Sequence, residues 1–346
     1  MLAFLVLSIT PLTVIAIFFL QSHTQDLQEQ STSHLTSVRD SKRQQVIDYL
    51  YAKESEVMGF VRSELAYASG GRFYGLVNAF SSLGLDIEQA REYAQRRYIQ
   101  GSGDQIKTSI LPQSSVYNGT ERYRLLHKRY HWAYLELLKR SDFDDILLVD
   151  REGNVTYSIY KHDNFGTNLL TGKYKDDNLG KTFAKLRNLV NDKRKTNEDF
   201  TPLIISDFSS EQGKPVAWLG APIIQQGYLH SYAMFRLPNN GITKLVADKS
   251  NLVSMKTLLV GSDHQSRTLA YQQEDIDKSR QVVDLALAGA NDVGTYTNTE
   301  NEAIIAAYSP ISFKGIDWAI GVELPERLAF PRVHQLETLL SFDTHT

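Results

Sequence analysis

The sequence predicts an α+β protein in which one long N-terminal helix leads into two antiparallel-sheet modules in series. Three observations carry that expectation. Residues 1–20 are an unbroken apolar run, residues 22–68 keep a helical apolar stripe, and from residue 145 short apolar or alternating runs are separated by glycine-bearing turns. The chain has 346 residues, is 42% hydrophobic and carries a formal charge of −3. That is enough apolar content for two or three cores, with no basic excess pointing to nucleic acid. The absence of cysteine excludes disulfides, thiolate zinc sites and cysteine nucleophiles.

The first segment, MLAFLVLSITPLTVIAIFFL, has the length and apolarity of a membrane-crossing helix (1–21), which needs about 20 residues for ~30 Å of hydrocarbon. Two rival readings fit less well. A signal peptide would show a basic start, a shorter apolar core and an A-x-A site before cleavage. A buried core helix would need less polar neighbours. Pro11 is compatible with a membrane helix.

From Ser22 to about Ala68 apolar residues recur at Leu35, Val38, Val46, Leu50, Val57, Val61 and Leu65, while Gln28, Glu29, Arg39, Asp40, Lys42, Arg43 and Glu54 occupy the other face. Ordinary globular helices run ~8–20 residues, so the length reads as a stalk beside its domain or paired with a second copy. Gly70-Gly71 ends it. Helical patterns follow over 73–98, interrupted at Leu83-Gly84, and over 121–140, with the loop 101–120 between them.

Asp145–Asp150, the turn Arg151–Asn154 and the alternating Val155–Tyr160 make a hairpin. A helix is predicted over 179–195, then strands over 203–207, 216–224 and 229–237. A smaller set of elements follows: a strand at 258–261, a helix over 274–288, a strand at 303–308 with a bend at Ser309-Pro310, and a last strand at 318–323.

The phrase DDILLVDREGNVTYSIYKHDNFGTNLLTGKYKDDNLGKTF (144–183) resembles the distal module of double-Cache sensor domains from bacterial methyl-accepting chemotaxis receptors. EAIIAAYSPISFKGIDWAIGVELPERLAF (302–330) is similar to the end of the membrane-proximal module, where a Tyr-x-Pro bend precedes a Trp-Ala strand and a closing acidic residue. The resemblance runs from the apolar segment to about residue 330. It implies two PAS-like modules, a membrane-distal one over 69–245 and a membrane-proximal one over 246–330. It also implies a periplasmic small-molecule sensor at the bacterial inner membrane, homodimeric through its stalk helix and signalling into the cytoplasm. Related modules head histidine kinases and diguanylate or adenylate cyclases. The tail 331–346 has no second apolar span, so a fragment without its cytoplasmic half is expected, with a stand-alone anchored binding protein as the alternative.

Amino-acid-binding members carry Arg and Trp two residues apart on the helix before the hairpin. Here Trp132 lies three after Arg129 and Ala133 replaces the adjacent Tyr, so an amino-acid ligand is not carried over. A pocket between the 121–140 helix and the sheet would draw on Arg129, Tyr130, Trp132, Tyr157, Tyr160, Asp163 and Asp207. Tyr130 and Tyr134 share a helix face away from Trp132, and Tyr157 and Tyr160 face opposite sides of a strand. At most some of these residues therefore line one site. Asp163 and Asp207 suit a ligand ammonium group, or equally a turn. His127 and His131 stand at a metal-sharing spacing, but Lys128 replaces the glutamate of the metalloprotease pattern and no third ligand is evident. No phosphate-loop, dinucleotide or nucleophile-elbow motif occurs, so neither a cofactor nor catalysis is expected.

Overall fold

The computed structural model describes residues 2–71, 73–100, 118–195, 201–247, 255–269 and 273–329, with 2–21 and 23–27 as helical backbone alone. The side chains of the expected membrane anchor, most of the 101–120 loop and the 331–346 tail lie outside the described residues. Among the residues whose side chains are described, no helix is long and apolar enough to cross a membrane. The fold mixes helices with antiparallel sheets and forms two compact units, Tyr49–Gly241 and the paired segments Met1–Asp48 with Ile242–Thr346.

Helix α1 (Leu2–Val61) is continuous over 60 residues, on the order of 90 Å at 1.5 Å per residue. Its predicted stripe is the buried one, with Leu35, Val46, Leu50, Val57 and Val61 all inaccessible. It ends at Val61 rather than near Ala68 because Ser63 starts a new helix, α2 (Glu64–Gly70), accepting a hydrogen bond from the Ala66 amide at 3.2 Å.

In the unit 49–241 the helical stretch after Gly71 is broken into α3 (Leu76–Phe80), a 3-10 turn (Ser81–Leu83), α4 (Ile87–Ala94) and a π-helical turn (Gln95–Gln100). Asp86 caps α4 through the Gln89 amide at 2.8 Å. Helix α5 (Asn118–Lys139) precedes the hairpin β1 (Asp145–Val149) and β2 (Val155–Ser158). Helix α6 (Asn178–Lys195) follows, then β3 (Ile204–Ile205), β4 (Ser209–Glu211), β5 (Lys214–Gln225) and β6 (Tyr228–Pro238). The sheet order is β2-β1-β6-β5-β3, with β4 also pairing β5.

Side-chain alternation along β6 shows that this sheet is covered on both faces. Phe235 meets Phe60 and Phe143 on one side, where Tyr157 also meets Tyr134 of α5. Tyr232 meets Phe183 of α6 on the other. Double coverage explains why all five residues of β1 are buried although strands with one wet face alternate.

In the second unit, α7 (Asn240–Val246) crosses the unit boundary, followed by β7 (Lys256–Gly261), α8 (Gln273–Lys278), α9 (Arg280–Leu287), β8 (Asp292–Thr297), β9 (Ala303–Phe313), β10 (Ile316–Pro325) and α10 (Glu326–Ala329). The sheet order is β7-β10-β9-β8. One face packs on α9 through Val282, Val283 and Ala286, and the other buries Leu35 of α1 among Ile305, Ala307, Val322 and Leu324.

Two expectations change here. The bend at Ser309-Pro310 is absent, because β9 runs on to Phe313 with Pro310 opposite Ala319. Proline fits because β8 pairs only as far as Tyr308, so no amide is required on that side. Arg39 is not on a solvent face. It is 4% exposed, and its guanidinium donates to the carbonyls of Tyr308 at 2.9 Å and Asp292 at 3.2 Å. Arg43 donates to the Pro310 carbonyl at 2.9 Å, and Lys42 to the Leu245 carbonyl at 2.7 Å at the end of α7, where a cation complements the helix dipole.

Gly180, in the first turn of α6, packs against backbone: an added Cβ would collide with the Tyr174 carbonyl oxygen and with Lys175. Gly180→Ala is expected to lower stability by about 1–3 kcal/mol, read from urea unfolding. An unchanged midpoint would show that the start of α6 is free to move.

Candidate ligand-binding site

A cavity of about 700 Å³ opens beside the start of α6, at the end of the sheet where β1 begins and β2 and β6 finish. Its walls come from three separate stretches of chain, 160–164, 174–179 and 209–214, with Asp144, Trp218 and Arg236 contributed by the sheet.

A buried carboxylate sets the first wall. Asp145 is fully buried and accepts hydrogen bonds from the Ile146 amide (2.8 Å), the Ile159 amide (2.9 Å) and the Ser158 hydroxyl (2.7 Å). The Ser158 hydroxyl in turn accepts from the Lys161 amide at 2.8 Å. Lys161 takes a left-handed backbone, φ 50°, and turns the chain so that His162, Asp163 and Asn164 follow along the cavity. Burial pushes the Lys161 ammonium down to about 7, partly offset by Asp145.

The opposite wall is polar and charged. Glu211 accepts from the Trp218 indole at 2.5 Å and from Arg236 Nε at 3.3 Å, while the other arm of Arg236 pairs with Asp144. Asn178, at the first turn of α6, donates to the Ser206 hydroxyl at 2.9 Å and to the Asp207 carbonyl at 3.0 Å. Burial raises the Asp144 carboxyl above its ordinary range; Arg236 opposes this, and Asp145 and Glu211 add to it.

Two features give the lining its character. It carries four carboxylates (Asp144, Asp163, Asp177, Glu211) against two cations, Lys214 and Arg236, with rings from Tyr160, Tyr174 and Trp218. In addition, Asp144 Oδ1 and Asn164 Oδ1 are buried acceptors with no hydrogen-bond partner among the described residues. Buried acceptors normally have donors.

Of the residues expected from sequence, Tyr160 and Asp163 line this cavity. Arg129 and Trp132 do not: both are exposed, Trp132 at 60%, and the Arg129 guanidinium lies over the half-buried Tyr130 ring. The face of α5 that meets the sheet is instead Tyr123, His127, His131 and Tyr134, packed around Tyr157. Tyr157 is core, its hydroxyl 2.9 Å from His131 Nδ1. Asp207 does not border the cavity, and its carboxylate accepts from the Phe208 amide at 2.7 Å. The cavity thus lies on the α6 face of the sheet, not under α5. Sequence reasoning passed over Asp144, Asn164, Glu211 and Arg236. The signals for two of them were present, since Arg236 is a charge inside an apolar strand and Asp144 precedes a strand that is otherwise apolar.

The His127 and His131 rings are stacked with centroids 4.4 Å apart in the core, not splayed around a shared ion. Burial, then Lys161 and His131, hold the His127 imidazole well below its ordinary 6.5. In the unfolded chain His127 takes up its proton near 6.5, so unfolding gains a proton below that pH and stability falls there. The slope reaches about 1.4 kcal/mol per pH unit for one proton. His127→Gln is expected to flatten the fall in unfolding free energy between pH 6.5 and 5 relative to the wild-type protein. Parallel curves for the two proteins would rule out this linkage.

The fold is similar to those of solved sensory domains. The ligand-binding domain of the Pseudomonas fluorescens chemoreceptor CtaA, in complex with L-isoleucine, aligns with 89% of this chain and 98% of its own at 10% identity and a TM-score of 0.45. For the sensory domain of the Campylobacter jejuni chemoreceptor Tlp3 the values are 88%, 97%, 10% and 0.46. For the extracellular domain of a putative histidine kinase they are 90%, 96%, 11% and 0.48. No protein-family model matches the sequence, and no curated protein matches it.

Proposed function

We propose that this chain is the extracytoplasmic sensor of a bacterial transmembrane receptor of the double-Cache type, binding a small amine in the cavity beside α6. The observation that carries the ligand class is the lining itself: an excess of carboxylates, three aromatic rings, and the donorless Asp144 Oδ1 and Asn164 Oδ1. An ammonium group supplies N–H donors to such oxygens, offsets the cost of burying Asp144, and is attracted to aromatic faces.

The Phe165-Gly-Thr-Asn-Leu169 phrase and the length of α1 support the rest of the reading. Residues 1–20 serve as the membrane anchor, α1 as the stalk of a homodimer, and the two sheets as the distal and proximal modules of a periplasmic input domain. Because three separate stretches of chain wall the cavity, an amine drawn between Asp163 and Glu211 favours their closer arrangement. Its preference for that arrangement is the free energy available for signalling.

Titration calorimetry on the full chain in detergent micelles tests this with a panel of primary amines, carboxylates and neutral sugars. Saturable binding is expected from the amines alone, weakened about tenfold by Asp163→Asn, the loss of one charged hydrogen bond. No heat from any amine, or equal heat from the variant, would sink the assignment.

A further inference from the structure

The second unit contains a smaller cavity, about 210 Å³, that the amine site described above does not involve. It is enclosed by the start of β7, the junction of α8 with α9, the ends of β8 and β10, and the start of β9. At its base stands Glu323, 5% exposed.

Every bond to that carboxylate comes from a neutral group. The Tyr296 hydroxyl donates to Oε1 at 2.7 Å and the Ser279 hydroxyl to Oε2 at 2.9 Å. The cations around the cavity are engaged elsewhere: Lys278 with Glu300 at 2.7 Å, Lys256 with Asp275 at 3.4 Å. The rim carboxylate Glu302 is paired with Arg327 at 2.9 Å. Among the described residues no cation lies within ion-pair distance of Glu323. Burial accordingly holds its carboxyl above the usual glutamate range, with the two hydroxyls and Lys256 only partly opposing this.

The chain makes local concessions to build this arrangement. The helix predicted over 274–288 is broken at Ser279, which does not cap α9 with its side chain because the hydroxyl is turned to Glu323. Glu323 also interrupts the buried, apolar end of β10; Lys256 stands opposite it on β7 but forms no ion pair with it, and a buried carboxylate without a direct ion pair is costly. Four carboxylates (Asp275, Glu300, Glu302, Glu323) face two lysines across the cavity, and the Tyr296 ring and Ile304 supply an apolar wall. The space corresponds to about seven water volumes at ~30 Å³ each, room for an ammonium ion with a short hydrocarbon chain.

From this geometry we infer that the second unit holds its own binding site for a small organic ammonium ion, with Glu323 as the counter-charge and Tyr296 as the flanking aromatic. The bound cation replaces the missing partner of Glu323 and donates to the carboxylate lone pairs that Tyr296 and Ser279 leave open.

The test uses ethylammonium chloride on full-length Asp163→Asn protein in detergent micelles, where binding beside α6 is about tenfold weaker, and assigns an event to the second unit by its response to Glu323→Gln rather than by the behaviour of the other cavity. Ethanol, a neutral molecule of the same size, and sodium chloride at equal ionic strength are the controls. A saturable event that adding Glu323→Gln weakens at least about tenfold is expected with ethylammonium alone, since a hydrogen-bonded charge pair is lost. Lys278→Gln, a change at a half-buried rim position paired with Glu300, removes a competing cation and is expected to tighten binding about threefold. No saturable event with ethylammonium, an equal response to ethanol, or unaltered affinity in the Lys278→Gln protein would overturn the assignment.

Discussion

The larger sheet and the cavity beside it both depend on the carboxylate of Asp145. It sits at the first position of β1 and binds the amide and hydroxyl groups of the chain leaving β2, so the two ends of the hairpin are tied at one point. The β1–β2 pairing ends at Ser158, so this tie directs the chain into residues 160–164, while bonds between Val155 and residues 166 and 167 hold the far end of that segment. The knot turns a strand end, normally a place of variation, into a positioned wall. Its cost is a fully desolvated carboxylate, offset by three hydrogen bonds to the charged form, each worth more than a neutral one.

Much of the architecture is legible in the residue pattern because it follows from burial. The stripe on α1, the hairpin around Arg151–Asn154 and the long strands β5, β6 and β10 all follow from where apolar residues must go. β8 was not anticipated, since Asp292–Thr297 is mostly exposed with a glycine at its centre and presents no apolar alternation. Pro310 misled for a different reason: proline signals a bend unless its nitrogen faces an unpaired edge, and edge status is decided by a distant strand. The same limit hid the role of Arg39, whose acceptors lie more than two hundred and fifty positions away.

The candidate site was legible in kind rather than in place. The residue pattern pointed to a pocket between the 121–140 helix and the sheet; of the residues named for it, Tyr160 and Asp163 border the cavity beside α6. The aromatic run on α5 does not border that cavity. Helical spacing separates Tyr134 from Trp132, but it does not say which of the two faces a sheet and which faces water. On the sheet side the space is filled by stacked histidines and tyrosines, so those residues specify packing. Both cavities share a pattern that spacing alone hides: a carboxylate adjoining a strand terminus, desolvated and short of donors or of a counter-charge.

The guanidiniums of α1 have one more consequence. Beyond Asp292, the first residue of β8, β9 would present a bare edge with the Tyr308 and Pro310 carbonyls and a proline nitrogen between them. Arg39 and Arg43 occupy those carbonyls, and Pro310 has no amide to offer. Strand addition is opposed there, because the Tyr308 and Pro310 carbonyls are taken and the donor between them is missing. The helix therefore acts as a plug on that stretch of the sheet margin, and self-association of this protein must use side-chain surfaces rather than strand addition at that point.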